Sequence, residues 1–341
     1  MQVHAQRMTD VISEQTRALL IASFMRGIGK ATLWSIASDP LFYRIEPQHL
    51  GDVHPALADF GTKGDRFQKA KSRAESEVEK AQALGVRIIG YSDSEYPVSM
   101  RRAPSAPALF WYKGDTAALQ MPNVAVIGTR QPTRAGKIMA ERIASAICES
   151  GFCVASGLAL GVDSIAHQAA VALRRPTVAI LAGGLDSIHP KRNAALAEDI
   201  VLHGGGLLSE FAIGAPSMPT NFVVRDSTQA AIAACVVLVQ SDTVGGSLHA
   251  SRACVKLGRK LYVVRPIAND LASLERKVQA NAELLAGRHQ AMNFPADSSA
   301  HIVPLSSRED YPAFFESVRS TWASFDSRRF RREHPGSASP D

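Results

Sequence analysis

The amino-acid sequence predicts an α/β protein: a Rossmann-like, doubly wound parallel sheet with a small helical N-terminal domain. Three observations carry this. Short apolar or β-branched runs recur through the middle of the chain, separated by stretches of helical period. These runs are apolar without alternation, as strands covered on both faces are. Most of them lead directly into a turn rich in glycine and small hydroxyls, the usual strand-to-helix passage of such sheets.

The chain divides into residues 1–95, 96–296 and 297–341. The first region reads as helical from about residue 13. Leu19, Leu20, Ile21 and Phe24 lead into Gly27-Ile28-Gly29-Lys30, followed by Leu33 and Ile36. Two readings of this hairpin stay open: a helix-hairpin-helix whose amides meet a DNA phosphate, or a plain αα-corner with glycines for tight packing. Lys63 to Leu84 then forms a charged helix that ends at Gly85.

The second region holds the strands, at Val124–Ile127, Phe152–Ala155, Thr177–Ala182, Leu207–Leu208, Cys235–Val239 and Leu261–Val264. Between the first two, Met139, Ile143 and Ile147 recur every four residues and Gly151 closes the helix. The third region is short. It ends in Ser327-Arg328-Arg329-Phe330-Arg331-Arg332, read as a solvated tail in preference to a phosphate contact.

Composition narrows the function classes. Of the 341 residues, 46% are hydrophobic and 21% charged, the balance of a chain that buries a sizeable core. A net charge of +6 permits a polyanionic partner without demanding one. The four cysteines, Cys148, Cys153, Cys235 and Cys254, form no Cys-x-x-Cys pair, so core thiols are expected and a zinc site is not. The longest strongly apolar stretch, Ala230–Val239, is far short of the roughly 18 residues of a membrane span. Met1–Asp10 lacks the basic-then-apolar pattern of a signal peptide, so a cytoplasmic protein is expected.

In an open parallel sheet, ligands lie beyond the carboxyl ends of the strands. The segments found there are Gly128-Thr129-Arg130-Gln131-Pro132-Thr133, Ser156–Asp163, Gly183-Gly184-Leu185-Asp186 and Gly245-Gly246-Ser247. Glycines and hydroxyls at such places let backbone amides approach an anion. The expected site is therefore a phosphate-binding crevice with Arg130 as its cation. The first turn lacks Gly-x-Gly-x-x-Gly, and no P-loop motif occurs, so no nucleotide cofactor is expected. Asp163 and His167, four apart on a helix, are read as a carboxylate at a helix N-terminus beside a packed histidine. Glu210 stands alone after the fourth strand. No nucleophile elbow or metalloprotease motif is present, and no reaction is assigned.

The same segments resemble the DNA-processing protein A (DprA/Smf) family. The likeness is carried by Val124-Ala-Val-Ile-Gly-Thr-Arg130, Ser156-Gly-Leu-Ala-Leu-Gly-Val-Asp163 with Ala166-His167, and Gly184-Leu185-Asp186 with Pro190 and Asn193. Leu208-Ser209-Glu210, Asn221-Phe222-Val223-Val224-Arg225, Gly246-Ser247-Leu248 with Arg252, and Gly258-Arg259 continue it. Tyr96-Pro97, Pro107, Leu109 and Gly114-Asp115 look like the family's lead-in, Gly27-Ile28-Gly29 like its N-terminal hairpin, and Asn281–Gly287 like its closing helix.

The resemblance implies a non-catalytic mediator of recombination and transformation that binds single-stranded DNA, self-associates as a homodimer and loads the RecA recombinase. It implies Gly128, Thr129, Arg130, Ser156, Gly157, Lys191, Asn221, Phe222, Arg225, Gly246, Ser247 and Arg252 as DNA-facing residues. Arginines would neutralise phosphates, and Phe222 would stack on a base or anchor its loop.

The sequence departs from the family pattern at several of these positions. Leu160 stands for an arginine, Asp226-Ser227 for Asn-Arg, Gly245 for Ser, His249-Ala250 for Ile-Thr and Arg265-Pro266 for Pro-Gly. Arg134, Lys137, Lys191 and Arg192 are the cations available to compensate. The alternative reading is a nucleotide-sensing or interaction module on the same sheet. Related phosphoribohydrolases carry a glutamate where Arg252 stands here, which argues against hydrolysis.

Overall fold

The structure, a computed structural model, describes residues 12–44, 51, 54–58, 60–62 and 64–326. The arginine-rich segment 328–332 and the first ten residues lie outside them. Helix α1 (Glu14–Phe24) starts at Ser13, whose Oγ accepts the Thr16 amide at 3.2 Å. After Gly27, at φ +90°, comes α2 (Lys30–Ser38). Helix α3 (Asp65–Ala83) is the expected charged helix, closed by Gly85 at φ +63°.

From there the chain runs β1 (Arg87–Gly90), α4 (Val98–Arg101), β2 (Leu109–Gly114), α5 (Ala117–Gln120), β3 (Asn123–Ile127) and α6 (Arg134–Glu149). It continues with β4 (Cys153–Ser156), α7 (Val162–Ala172), β5 (Thr177–Leu181), α8 (Ala194–Leu202), β6 (Gly206–Ser209) and α9 (Pro219–Ile232). The last elements are β7 (Cys235–Leu238), α10 (Ser247–Lys256), β8 (Leu261–Val264), α11 (Ala268–Ala272), α12 (Gln279–Leu285), β9 (Ile302–Leu305) and α13 (Tyr311–Asp326).

All six expected strands form, as β3 to β8. Among the described residues the strands make one nine-stranded sheet in the order β1-β2-β6-β5-β4-β3-β7-β8-β9. The seven strands from β6 to β9 run parallel, and β1 and β2 pair antiparallel at one edge. The apolar runs are explained by the two faces. On β3, Val124 and Val126 meet α6, α7 and α13, whereas Ala125 and Ile127 meet α9, α10 and α12. The sheet is doubly wound and Rossmann-like.

The sheet runs across both of the expected boundaries, at 95 and 296. Strand β1 lies inside the region read as helical, and its edge is tied to α1: Asp93 accepts hydrogen bonds from Ser13 Oγ at 2.6 Å and Thr16 Oγ1 at 2.8 Å. Beyond 296, β9 pairs with β8, and α13 buries Phe314, Val318 and Phe325 against the sheet. The C-terminal region is thus more than a tail.

The strand order reverses beside β3, which is flanked by β4 on one side and β7 on the other. The segments leaving β3 and β7 therefore diverge to opposite faces and leave a crevice at the carboxyl edge.

Candidate nucleic-acid interface

That crevice is an open cleft of about 740 Å³. Its walls come from the turns after β3 and β7, the first turns of α7 and α10, and one face of α9.

The β3 turn is fixed by a single side chain from the other wall. Gln240 is 3% exposed; its Oε1 accepts the Thr133 amide at 3.0 Å, and its Nε2 donates to Thr133 Oγ1 at 2.9 Å. The Gln240 carbonyl accepts the Thr129 amide at 2.8 Å. Thr133 in turn caps α6 through the Gly136 amide at 3.1 Å. Gly128 has to be small here, since a Cβ would come within 2.7 Å of Val162 Cγ2. Held this way, Arg130 projects exposed into the cleft and has no ion-pair partner among the described residues.

The β7 turn is fixed from behind by Asn281, which is fully buried. Its Nδ2 donates to the carbonyls of Leu238, Val239 and Val264 at 3.2, 3.0 and 2.9 Å, and its Oδ1 accepts the Ser241 amide at 3.0 Å. Ser247 Oγ donates to Ser241 Oγ at 2.8 Å. Gly246 is exposed at the start of α10, where no side chain caps the helix; the Leu248 and His249 amides bond to the Gly245 and Gly246 carbonyls at 3.1 and 3.0 Å, which leaves the Gly246 and Ser247 amides without a partner among the described residues and available to an anion.

The floor belongs to α9. Phe222, Arg225, Asp226 and Gln229 fall at helical spacing on one face and all line the cleft. The Phe222 ring is half-buried, with the Arg130 and Arg225 guanidinium carbons 5.7 and 5.8 Å from its centroid and the His189 ring 6.1 Å away. Arg225 is 5% exposed and sits between carboxylates, with Nε 3.1 Å from Asp226 Oδ1 and Nη1 3.8 Å from Asp163 Oδ2. Burial nevertheless pushes the Asp226 carboxyl up to about 6 and raises Asp163, while Arg225 pulls both back down.

Of the residues expected to face DNA, the structure brings Gly128, Thr129, Arg130, Phe222, Arg225, Gly246 and Ser247 together around the cleft. Several need a different role. Arg225 is too deep and too committed to its carboxylates to be a free phosphate cation. Ser156 is fully buried and donates to the Val126 carbonyl at 2.6 Å, and Gly157 is buried above Arg225. Arg252 lies outside the cleft lining and donates to the Met292 carbonyl at 3.0 Å. Asn221, bonded to the Pro216 carbonyl at 3.1 Å, and the exposed Lys191 also lie outside it. In the next turn residues 183–185 are buried, with the Gly184 amide donating to Ala215 O at 2.9 Å, and Asp186 is exposed outside the cleft lining.

Glu210, Asp163 and His167 are accounted for. Glu210 pairs with Lys30 of α2 at 2.7 Å and accepts a hydrogen bond from Thr228. His167 and Asp163 have separate partners: His167 Nδ1 lies 2.8 Å from Thr177 Oγ1, and Asp163 accepts the Gly157 amide at 3.2 Å. Sequence reasoning missed Gln240, Gln229 and the positioning role of Asn281. Only Gln229 left a signal, seven residues after Phe222 on a helix whose face was already implicated.

Comparison with known proteins agrees with this architecture. The model of the family described as DNA recombination-mediator protein A matches residues 87–295. Protein Smf of Escherichia coli (strain K12) is 32% identical over 180 residues, 52% of this chain and 48% of that protein. DNA processing protein DprA of Bacillus subtilis (strain 168) is 30% identical over 181 residues, 53% of this chain and 61% of that protein. The chain thus spans between about half and three fifths of these two relatives.

Among solved structures, DprA from Streptococcus pneumoniae superposes with a TM-score of 0.68 at 21% identity, covering 89% of this chain and 98% of that one. DNA processing protein A from Helicobacter pylori, solved for its single-stranded DNA binding mode, gives 0.51 at 26% identity, over 60% of this chain and 88% of that one.

Proposed function

Since this chain belongs to the DNA recombination-mediator protein A family, we propose that it binds single-stranded DNA in the cleft beside β3 and serves DNA processing in recombination or transformation without catalysing a reaction. The carrying observation is the exposed Arg130, without an ion-pair partner among the described residues, facing the uncapped start of α10 across an open cleft with the Phe222 ring in its floor. A guanidinium and free amides suit a phosphate, and an aromatic ring in the same cleft suits an unstacked base, which a duplex does not offer. The single-stranded DNA binding reported for the Helicobacter pylori relative supports this reading. Self-association as a homodimer and delivery of the strand to RecA in the cytoplasm complete the proposed role. Among the described residues no helix is long and apolar enough to cross a membrane.

Fluorescence-anisotropy titration of a labelled 20-nucleotide oligothymidylate tests the central claim. Tight, salt-sensitive binding is expected; no binding at low salt refutes it.

A further inference from the structure

Three α9 side chains in the cleft floor have a chemistry that phosphate binding does not use. Phe222, Asp226 and Gln229 stand at positions i, i+4 and i+7, so one helix face carries a ring, a carboxylate and an amide in a row. Arg225 Nε lies 3.1 Å from the carboxylate but makes no hydrogen bond to it. Gln229 is 2% exposed, yet its Nε2 has no hydrogen-bond partner among the described residues. A buried amide without a partner is costly in a folded protein, which makes it a mark of a ligand contact. A half-turn of the terminal amide presents either its donor or its acceptor to the cleft.

Since Arg225 Nε balances the Asp226 charge without a hydrogen bond, this anionic acceptor is favourable in a phosphate-binding cleft only where a ligand donor meets it. Among the bases, guanine offers two adjacent donors, N1–H and the exocyclic N2 amine, next to the O6 acceptor. Its edge fits a carboxylate beside an amide donor. Thymine sets one N–H between two carbonyl oxygens, and those oxygens would face the carboxylate. Adenine and cytosine each place a bare ring acceptor beside their amine. Splayed bases stacked on an aromatic ring are read along this edge.

We propose that Phe222, Asp226 and Gln229 form a nucleobase subsite that selects guanine from a single strand bound in the cleft. The inference rests on the single-strand reading above and adds base selectivity to it.

The test is competition anisotropy with the full chain at fixed salt. The 20-nucleotide strands are oligothymidylate, the same strand with isolated guanines that cannot form four-stranded structures, and matched strands with adenine or inosine at those positions. The guanine strand is expected to bind about tenfold more tightly than oligothymidylate, the scale of one well-formed base-edge contact. Inosine lacks the N2 amine and loses most of that gain. In Asp226→Asn the guanine-to-thymine ratio falls toward one, whatever its absolute affinity. Gln229→Met lowers the ratio independently, should the first variant fold poorly. Equal binding of all four strands by the wild-type chain overturns the subsite and leaves strand binding intact. Failure to bind any strand overturns the strand-binding reading itself.

Discussion

The Arg225 guanidinium fills the space that a side chain at residue 157 would need: a Cβ on Gly157 would overlap Arg225 Nη1 and come within 2.7 Å of Asp163 Oδ2. The turn after β4 and the floor of the cleft are therefore built around each other. Gly157→Ala should displace the guanidinium from between its carboxylates. Overpacking of a filled site destabilises by roughly 1–3 kcal/mol, and the added charge imbalance places this variant at the upper end. Thermal unfolding should show a clear drop in Tm, and an unchanged Tm would mean the turn relaxes freely.

The two arginines near Phe222 should behave oppositely. Arg225→Ala leaves Asp163 and Asp226 buried without their counter-charge, and breaking a buried pair destabilises by roughly 3–5 kcal/mol. Arg130 is exposed and has no ion-pair partner among the described residues, so Arg130→Ala should change stability by no more than about 0.5 kcal/mol. Its effect appears in binding instead. Removal of one phosphate contact to a single strand flattens the slope of log K against log salt by about 0.7. Denaturant titration and salt-dependent anisotropy on both variants separate these roles. A salt slope unchanged in Arg130→Ala would remove that residue from the phosphate path.

Asn281 should control the opposite wall without touching DNA. It bonds to three carbonyls at the ends of β7 and β8 and to the Ser241 amide, so Asn281→Ala leaves several buried groups unsatisfied. The expected loss is roughly 1–3 kcal/mol. Strand affinity should fall as the Ser241–Ser247 turn loosens, with the salt slope preserved because no phosphate cation is lost. A changed slope would show that Asn281 acts through charge rather than position.

How much of this was legible follows from where the determining contacts lie in the chain. Strands β3 to β8 could be read because burial on both faces leaves continuous apolar runs, Arg130 because it lies in the turn directly after such a run, and Gly246 because it comes after one and a short loop. Strands β1 and β9 could not. Arg87–Gly90 is four residues between a helix end and a turn, and Ile302–Leu305 contains Pro304, tolerated because β9 is the sheet edge. In the site, Thr133 and Gln240 meet across 107 residues, and Arg225 meets Asp163 from a different helix. Such pairings leave no local spacing to read. The residue Asp226 was visible as a departure from the family pattern, but its contact with a buried arginine required the fold.

Two buried groups should give the protein opposing pH responses that single variants can separate. Thr177 Oγ1 donates to the Val154 carbonyl at 2.7 Å, so it accepts from His167 Nδ1–H, and His167 Nε2 is buried without a hydrogen-bond partner among the described residues. Burial drives this imidazole down to about 3 from an ordinary 6.5. Between those values the unfolded chain holds a proton that the native one refuses, so this group's contribution to stability is lost as pH falls through 6.5 towards 3. Asp226, pushed up to about 6 from 3.8, has the reverse sign. There the native state holds the extra proton, and stability rises as pH falls through 6 towards 3.8. Relative to wild type, His167→Gln should therefore gain stability on acidification below 6.5, at about 1.4 kcal/mol per pH unit. Relative to wild type, Asp226→Asn should lose stability as pH falls from about 6 towards 4. Urea unfolding of the three proteins at pH 4.5, 5.5 and 7 reads both differences, and parallel curves would show that neither group's pKa differs between the folded and the unfolded chain.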